Sequence, residues 1–481
     1  MIDLEIFIIK TCKCLIRGLF INIFNYIKEY GLEQTWESLI YNNSGIEDFY
    51  HNDNIKEDFF KDKNYYEISD LYEECLAFND KLNKKNNGQY YTPPDVCDLL
   101  VEQALEFPDG IWCDPCCGIG NISFKLIEKK PELLNTMIFC DIDLLSLKTC
   151  RFLFSKFFNK NYYELNNFYN VNFLSGQELN YDYIIMNPPY IKLTGMKEDL
   201  YISFMKKACC AKGFVSITPQ TFTNSSNKAS KELREKISNF RKIKIYNFDN
   251  VPDMIFNGKK KGIFNTNTSN SVRAAITVCN NSEDKKEITP LLRWRTEERK
   301  NMFERKNEFL SELTIQNNIF LKLYPNTKEY LNFGNTPLKS ILSKNKTEFK
   351  LTIPSTPRYY ITASIKELSR GSKHEIYFNS KEDMLKCYLI LNSSYSYWWW
   401  RINDGCITLT KTVLESLPIK NIEINEGLIS KLLLEEETNL VVKKNAGILN
   451  ENIKHSLELI KEINNYLGFS NLEKIQQNSI L

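Results

Sequence analysis

An apolar run, Tyr181-Asp182-Tyr183-Ile184-Ile185-Met186, ends in Asn187-Pro188-Pro189-Tyr190. Just after a buried strand, these four residues place a side-chain amide, two fixed φ angles and an aromatic ring at the mouth of a pocket. That combination suits chemistry on a flat, weakly nucleophilic amine. The Asn187 side-chain oxygen and the Pro188 carbonyl can each accept an N–H hydrogen bond. Two such acceptors localise the nitrogen lone pair and meet the positive charge that develops during group transfer. Tyr190 offers a face on which a flat ring can stack. The bland alternative is a rigid strand-end turn.

A second group lies upstream. Asp114-Pro115-Cys116-Cys117-Gly118-Ile119-Gly120 follows the strand-like Ile111-Trp112-Cys113 immediately. Gly118 and Gly120 allow a tight turn that brings backbone N–H groups close to a ligand. The segment lacks the three-glycine dinucleotide fingerprint and has no Lys-Ser/Thr for a triphosphate. Asp141 ends the next apolar run, Thr136–Cys140, where a carboxylate can accept both hydrogens of a ribose diol; Asp143 competes for that role. The Asp114 carboxylate can pair with an ammonium group. Charge complementarity favours a ligand with an amino-acid end and a ribosyl end, which S-adenosyl-L-methionine has.

The elements that position these groups read as short apolar strands alternating with helices from about 86 to 290, as in a parallel sheet covered on both faces. The chain has 481 residues, too many for one core. We expect an N-terminal helical region over 1–85 with a packing role, its face formed by Ile68, Leu71, Cys75, Phe78 and Leu82. A catalytic domain over 86–290 follows, then a second domain over 291–423 without βαβ rhythm. A helical region over 424–481 completes the chain. There, Leu449, Ile453, Leu457, Ile460, Ile463 and Leu467 suggest one amphipathic helix face.

The composition, 43% hydrophobic and 25% charged with net charge +2, is ordinary for a globular protein. Any nucleic-acid face must therefore arise from uneven charge. The fourteen cysteines form no disulfide or zinc framework, and His51, His374 and His455 are dispersed. No metal site is expected, and the setting reads as a reducing cytoplasm. Residues 6–27 are apolar but carry Lys10, Lys13 and Arg17, suggesting a buried helix rather than a membrane span. No nuclease-like Asp…Glu-x-Lys arrangement stands out near the N-terminus.

Taken in order, these segments resemble the gamma-type N6-adenine DNA methyltransferases, which include the TaqI-like enzymes and the methylation parts of type I and fused type II restriction systems. The resemblance covers about 86–220 and fades through 280. It implies an α/β, Rossmann-like S-adenosyl-L-methionine-dependent catalytic domain, a C-terminal target-recognition domain and helical extensions. Gly88-Gln89-Tyr90-Tyr91-Thr92-Pro93-Pro94 matches the family segment that folds over the methionine end of the cofactor, carrying Tyr90, Tyr91 and Thr92 into the site. Before a helix expected from about Asp95 to Leu105, Thr92 also suits a cap and Pro93 an early helical position. Asn172-Phe173 stands where the family has Asp-Phe, at the cofactor adenine. Asn172 departs from the pattern but retains an acceptor oxygen, and Phe173 is either a pocket wall or core. Asn187, Pro188, Pro189 and Tyr190 take the catalytic positions, acting on an adenine flipped from duplex DNA.

The far region resembles the recognition part of the same enzymes through Leu391-Asn392-Ser393-Ser394 and the run from Tyr395 to Arg401. Trp398-Trp399-Trp400 reads first as hydrophobic packing. Candidate DNA-backbone contacts are Lys259, Lys260 and Lys261, with Arg293, Arg295 and Arg401. The expected partner is double-stranded DNA, with a cognate restriction endonuclease or a specificity subunit as a further partner. A monomer is expected rather than a dimer, and no membrane association. Asn-Pro-Pro-Tyr also occurs in enzymes that methylate RNA guanine or protein glutamine. Those substrates remain the alternative, as does a methylation subunit that needs a separate specificity partner.

Overall fold

The computed structural model describes residues 16–56, 58–79, 92–176, 178–192, 195, 198–256, 272–357, 359–404, 408–445, 448–470 and 472–476. Tyr90, Tyr91, Leu82 and Lys259 to Lys261 lie outside them. Two compact units divide the chain: 1–250 with 254–286, and 251–253 with 287–481.

The first unit is built on seven strands: β1 (Trp112–Asp114), β2 (Ile138–Asp141), β3 (Phe168–Asn170), β4 (Tyr183–Met186), β5 (Gly213–Pro219), β6 (Lys242–Phe248) and β7 (Ala274–Asn280), in the order β3-β2-β1-β4-β5-β7-β6. β1 pairs in parallel with β2 and β4, as do β2 with β3 and β4 with β5. β4 is buried at every residue, which explains a continuous apolar run in place of an alternating one. The chain reverses direction in strand order between β1 and β4, so their carboxyl ends border the crevice where open α/β sheets take ligands.

The expected all-parallel sheet needs one correction. β7 runs antiparallel to both β5 and β6, inserted between them. A parallel return requires a covering crossover, usually a helix. The sequence between Phe248 and Ala274 is polar, with glycine, proline and asparagine, and does not supply that pattern.

Helices Ile16–Tyr30, Leu32–Ser44 and Tyr65–Asn79 belong to this unit. Ile68, Leu71 and Cys75 are buried on the third, as their spacing predicts. Trp36 Nε1 donates to Thr149 Oγ1 at 3.1 Å, tying the second of these helices to Leu144–Phe157 beside β2.

The second unit packs helices Lys381–Leu391, Ser394–Asn403, Glu426–Thr438 and Leu457–Leu467 around one apolar core. Trp398, Trp399 and Trp400 are all buried there, and Tyr395 stacks on Phe469 at 5.0 Å. Glu436 is buried but fully served: the Ser364 and Tyr388 hydroxyls and the N–H groups of Ile365 and Lys366 donate to it. Its helix is thereby joined to residues expected in a separate domain.

The expected helix face through Leu449 and Ile453 is corrected. Leu440–Asn445 and Ile448–Ile453 form an antiparallel pair, and helix begins only at Leu457. Leu449 is 61% exposed, whereas Ile460 and Ile463 are buried. The β-branched Val441 and Val442, followed by Asn445-Ala446-Gly447, carry a hairpin signal that outweighs the chance four-residue spacing. No helix among the described residues is long and apolar enough to cross a membrane.

Candidate functional site

Register places Asp114, Asp141 and Asn187 at the carboxyl ends of β1, β2 and β4, three neighbours in the sheet. After β1 the chain turns back at once. Gly120 N–H donates to the Cys117 carbonyl at 2.8 Å, and Cys117 N–H to Cys140 O at 2.9 Å, pinning the turn to β2. Gly118 and Gly120 hold φ of 56° and 91°, the left-handed region that favours glycine. A Cβ on Gly120 would meet Cys150 Sγ at 2.6 Å. Helix Asn121–Lys129 starts directly after the turn.

The Asp114 carboxyl is 2% exposed and accepts from Ser123 Oγ at 2.5 Å. Burial raises its pKa to about 7, with the negative charge of Asp141 adding to the effect. Asp141 accepts the N–H of Gly118 at 2.7 Å and that of Asp143 at 2.9 Å. Burial raises its pKa to about 6 despite those donors. Two carboxyls held above their ordinary range beside a glycine turn favour a ligand that brings positive charge. Asp143 is committed elsewhere. It caps helix Leu144–Phe157 by accepting from Leu145 N–H at 3.1 Å and from Ser146 Oγ at 2.7 Å.

Asn187 follows β4, and its Nδ2 donates to Thr92 Oγ1 at 3.1 Å. Helix Pro94–Ala104 takes Pro93 as its N-cap in place of Thr92, with Pro94 in its first turn. Thr92 is therefore not the cap; its hydroxyl faces Asn187 instead. Tyr190 donates its hydroxyl to the Ile217 carbonyl at 3.0 Å, and its ring meets Tyr201 edge-on at 6.4 Å. Pro188 is buried. These bonds fix the amide and the ring relative to the sheet.

Asn172 lies after β3, exposed, with its side-chain oxygen accepting from Leu174 N–H at 3.0 Å. Phe173 is 2% exposed, stacked on Phe204 at 5.8 Å with the Lys207 ammonium 4.1 Å from its ring centre. Its ring is core.

The arginines expected on DNA separate. Arg295 is exposed. Arg293 and Arg401 are each 2% exposed inside the second unit, a correction to their expected place at a phosphate. Arg293 donates to the Tyr397 hydroxyl at 3.2 Å, and Arg401 sits 5.9 Å from the Trp400 ring centre. Apolar and aromatic neighbours in the folded unit hold them where sequence spacing suggested a surface. Ser123 was missed by sequence reasoning. Its position, one helical turn past the glycines, was the available signal.

Strand order, glycine turn, paired strand-end carboxyls and the Asn187 amide together define a Rossmann-type methyltransferase fold. Residues 95–244 match the family described as methyltransferase small domain, whose cofactor is S-adenosyl-L-methionine. The raised carboxyls and the glycine cradle fit that cationic group.

Among curated proteins, the chain is 28% identical over 165 residues to the type II methyltransferase M.VspI of Vibrio sp. (strain 343). It is 27% identical over 181 residues to the modification methylase CviBIII of Paramecium bursaria Chlorella virus NC1A. These matches cover 33% and 34% of this chain, and 37% and 45% of the relatives, so the chain spans less than half the length of either. Among solved structures, the type IIG restriction endonuclease BpuSI aligns over 94% of this chain and 73% of its own, with 12% identity and a TM-score of 0.40.

Proposed function

We propose that this chain is a site-specific DNA methyltransferase that acts on the N6 amine of an adenine flipped out of the duplex. The observation that carries the reading is the Asn187 amide, held by Thr92 at the end of β4, two strands from Asp141. S-adenosyl-L-methionine supplies a methyl group activated on a sulfonium. Asp114 and Asp141 bind its cationic and diol ends in this reading, with Thr92, Gly118, Gly120 and the segment carrying Tyr90 and Tyr91 around them. Asn172 receives its adenine amine.

At the target base, the Asn187 oxygen and the Pro188 carbonyl accept the two amine hydrogens and draw the nitrogen toward tetrahedral geometry. Pro189 stiffens that carbonyl. No strong base is required, because the proton leaves after transfer, when the nitrogen carries the positive charge. The Tyr190 ring, anchored through its hydroxyl, stacks on the flipped base, a contact worth roughly 1–3 kcal/mol. Base-sequence recognition falls to the second unit, and phosphate contact to Arg295 and to Lys259, Lys260 and Lys261. Action as a monomer is part of this reading, and a restriction-modification setting accords with the similarity to the two methylases.

The test is incubation of the protein with unmethylated duplex DNA and S-adenosyl-L-methionine, followed by mapping of modified bases, with Asn187→Ala as control. N6-methyladenine at one recurrent motif, absent with the variant, is the expected result. Absence of the mark from DNA rich in short motifs, but its appearance on adding a specificity subunit, would assign the methylation-subunit role. Transfer to RNA or protein alone would overturn the DNA reading.

A further inference from the structure

Helix Tyr65–Asn79 carries three buried hydroxyls, on Tyr65, Ser69 and Tyr72, at helical spacing i, i+4, i+7. All three lie on one stripe. Had packing been the sole demand, Phe, Ala and Phe would bury nearly the same surface without desolvating a polar group.

Each hydroxyl instead meets a different wall of the site. Tyr65 OH donates to the Ile119 carbonyl, between the two glycines of the turn, while its ring stacks on Phe124 at 3.6 Å. Ser69 Oγ donates to Asn121 Oδ1 at 2.8 Å, and Asn121 Nδ2 donates to the Thr92 carbonyl at 3.3 Å. Thr92 in turn holds Asn187. Tyr72 OH pairs with Ser146 Oγ at 3.1 Å, and Ser146 donates to Asp143, whose own N–H is bound by Asp141.

We infer that this helix is a positioning element of the methyltransferase site, with Tyr65, Ser69 and Tyr72 as positioning residues for the glycine turn, the Asn187 amide and the β2 acidic end. The inference rests on the proposed function for what the site does. The peptide between Ile119 and Gly120 is held at both ends: its N–H donates to the Cys117 carbonyl at 2.8 Å, and its own carbonyl accepts from the Tyr65 hydroxyl. Tyr65 fixes the direction of that carbonyl. Ser69 sets which end of the Asn121 amide faces Thr92, and so reaches Asn187 through three consecutive hydrogen bonds. Tyr72 steadies the loop after β2 from the opposite side.

The test uses Tyr65→Phe, Ser69→Ala and Tyr72→Phe in the full chain, each removing one hydroxyl. S-adenosylhomocysteine affinity is measured by calorimetry, kcat by methyl transfer to DNA, and Tm on the ligand-free protein. Tyr65→Phe and Tyr72→Phe are expected to weaken S-adenosylhomocysteine binding about fivefold to tenfold. Ser69→Ala is expected to leave that affinity within about twofold and lower kcat about fivefold. Ligand-free Tm should stay within about 4 °C of the parent. Affinity and kcat both unchanged in all three variants would overturn the inference, as would losses that merely track a large fall in Tm. Failure of the unsubstituted protein to bind S-adenosylhomocysteine would overturn the methyltransferase reading itself, and is distinguishable because no substitution is involved.

Discussion

Asn187 and Thr92, 95 residues apart in sequence, are joined by a 3.1 Å hydrogen bond from the Asn187 amide nitrogen to the Thr92 hydroxyl. With its nitrogen end turned to Thr92, the amide has its oxygen end opposite, the orientation an amine substrate requires. Thr92→Val keeps the shape and removes the acceptor. We expect kcat to fall about tenfold, equivalent to one modest hydrogen bond, and Thr92→Ser to retain most of it. Asn187→Ala removes the proposed amine acceptor outright and should cost about 100-fold or more. Single-turnover methyl transfer measures both, and equal rates for Thr92→Val and the parent would remove Thr92 from amide positioning.

The raised carboxyls give a pH dependence with a defined sign. A carboxyl whose folded pKa lies above its unfolded value of about 4 stabilises the fold at low pH, and that contribution is lost as pH rises through the folded value. For Asp114 the loss runs from about 4 to about 7. Ligand-free Asp114→Asn should therefore gain Tm relative to the parent between pH 5 and pH 8. Cofactor affinity of the parent should move the other way, strengthening with pH as the carboxylate ionises to meet an ammonium. Calorimetry in buffers of differing ionisation enthalpy should detect proton release on binding near pH 6. Proton uptake would overturn the pairing.

Gly120 permits a sharper structural test. Its φ of 91° and the 2.6 Å approach to Cys150 Sγ leave no room for a Cβ. Gly120→Ala is expected to destabilise the first unit by roughly 1–3 kcal/mol and to abolish measurable cofactor binding. Cys150→Ala in the same chain should recover only a small part of the stability, since it removes the Sγ contact but leaves Phe154 Cε2 at 2.7 Å and the backbone strain. Chemical denaturation reads both effects.

Legibility in the sequence followed the range of the forces involved. Local signals marked the turn at Gly118 and Gly120, the apolar core of β4 and the helix face through Ile68, Leu71 and Cys75, because period and turn chemistry are written in neighbouring residues. The antiparallel β7 was not legible, since strand direction depends on how the chain crosses between Phe248 and Ala274. Thr92 facing Asn187 required knowing that Pro93, not Thr92, takes the cap position. The hydroxyl stripe on Tyr65, Ser69 and Tyr72 was hidden inside a face read by its apolar members. Arg293 and Arg401 looked superficial because charge is usually solvated, and only the three-dimensional core of the second unit shows them enclosed.

Tyr190 combines a ring for stacking with a hydroxyl for anchorage, and substitution can separate them. Tyr190→Phe loses the 3.0 Å bond to the Ile217 carbonyl but keeps the ring. A fall in kcat/KM for DNA of about threefold to tenfold is expected. Tyr190→Ala removes the stacking face as well and should lose about 1–3 kcal/mol of transition-state binding. Equal activities of the Phe and Ala variants would show that the ring does not carry the base.

The burial of Arg293 and Arg401 predicts a dissociation between stability and DNA affinity. A guanidinium that reaches phosphate contributes about 0.9 to the slope of log affinity against log salt, because it displaces a counterion. One enclosed beside Tyr397 or Trp400 contributes nothing to that slope, but its loss leaves buried partners unserved. Arg293→Met and Arg401→Met are therefore expected to lower unfolding free energy by about 1.5–3 kcal/mol while leaving the salt slope of DNA binding unchanged. Arg295→Met, at an exposed position, should do the reverse: little change in stability and a slope shallower by about 0.9. Fluorescence anisotropy across a salt series, paired with urea denaturation of each variant, separates these cases. A shallower slope for Arg401→Met at unchanged stability would mean that its guanidinium leaves the interior to meet DNA, and the burial would then describe only the DNA-free protein.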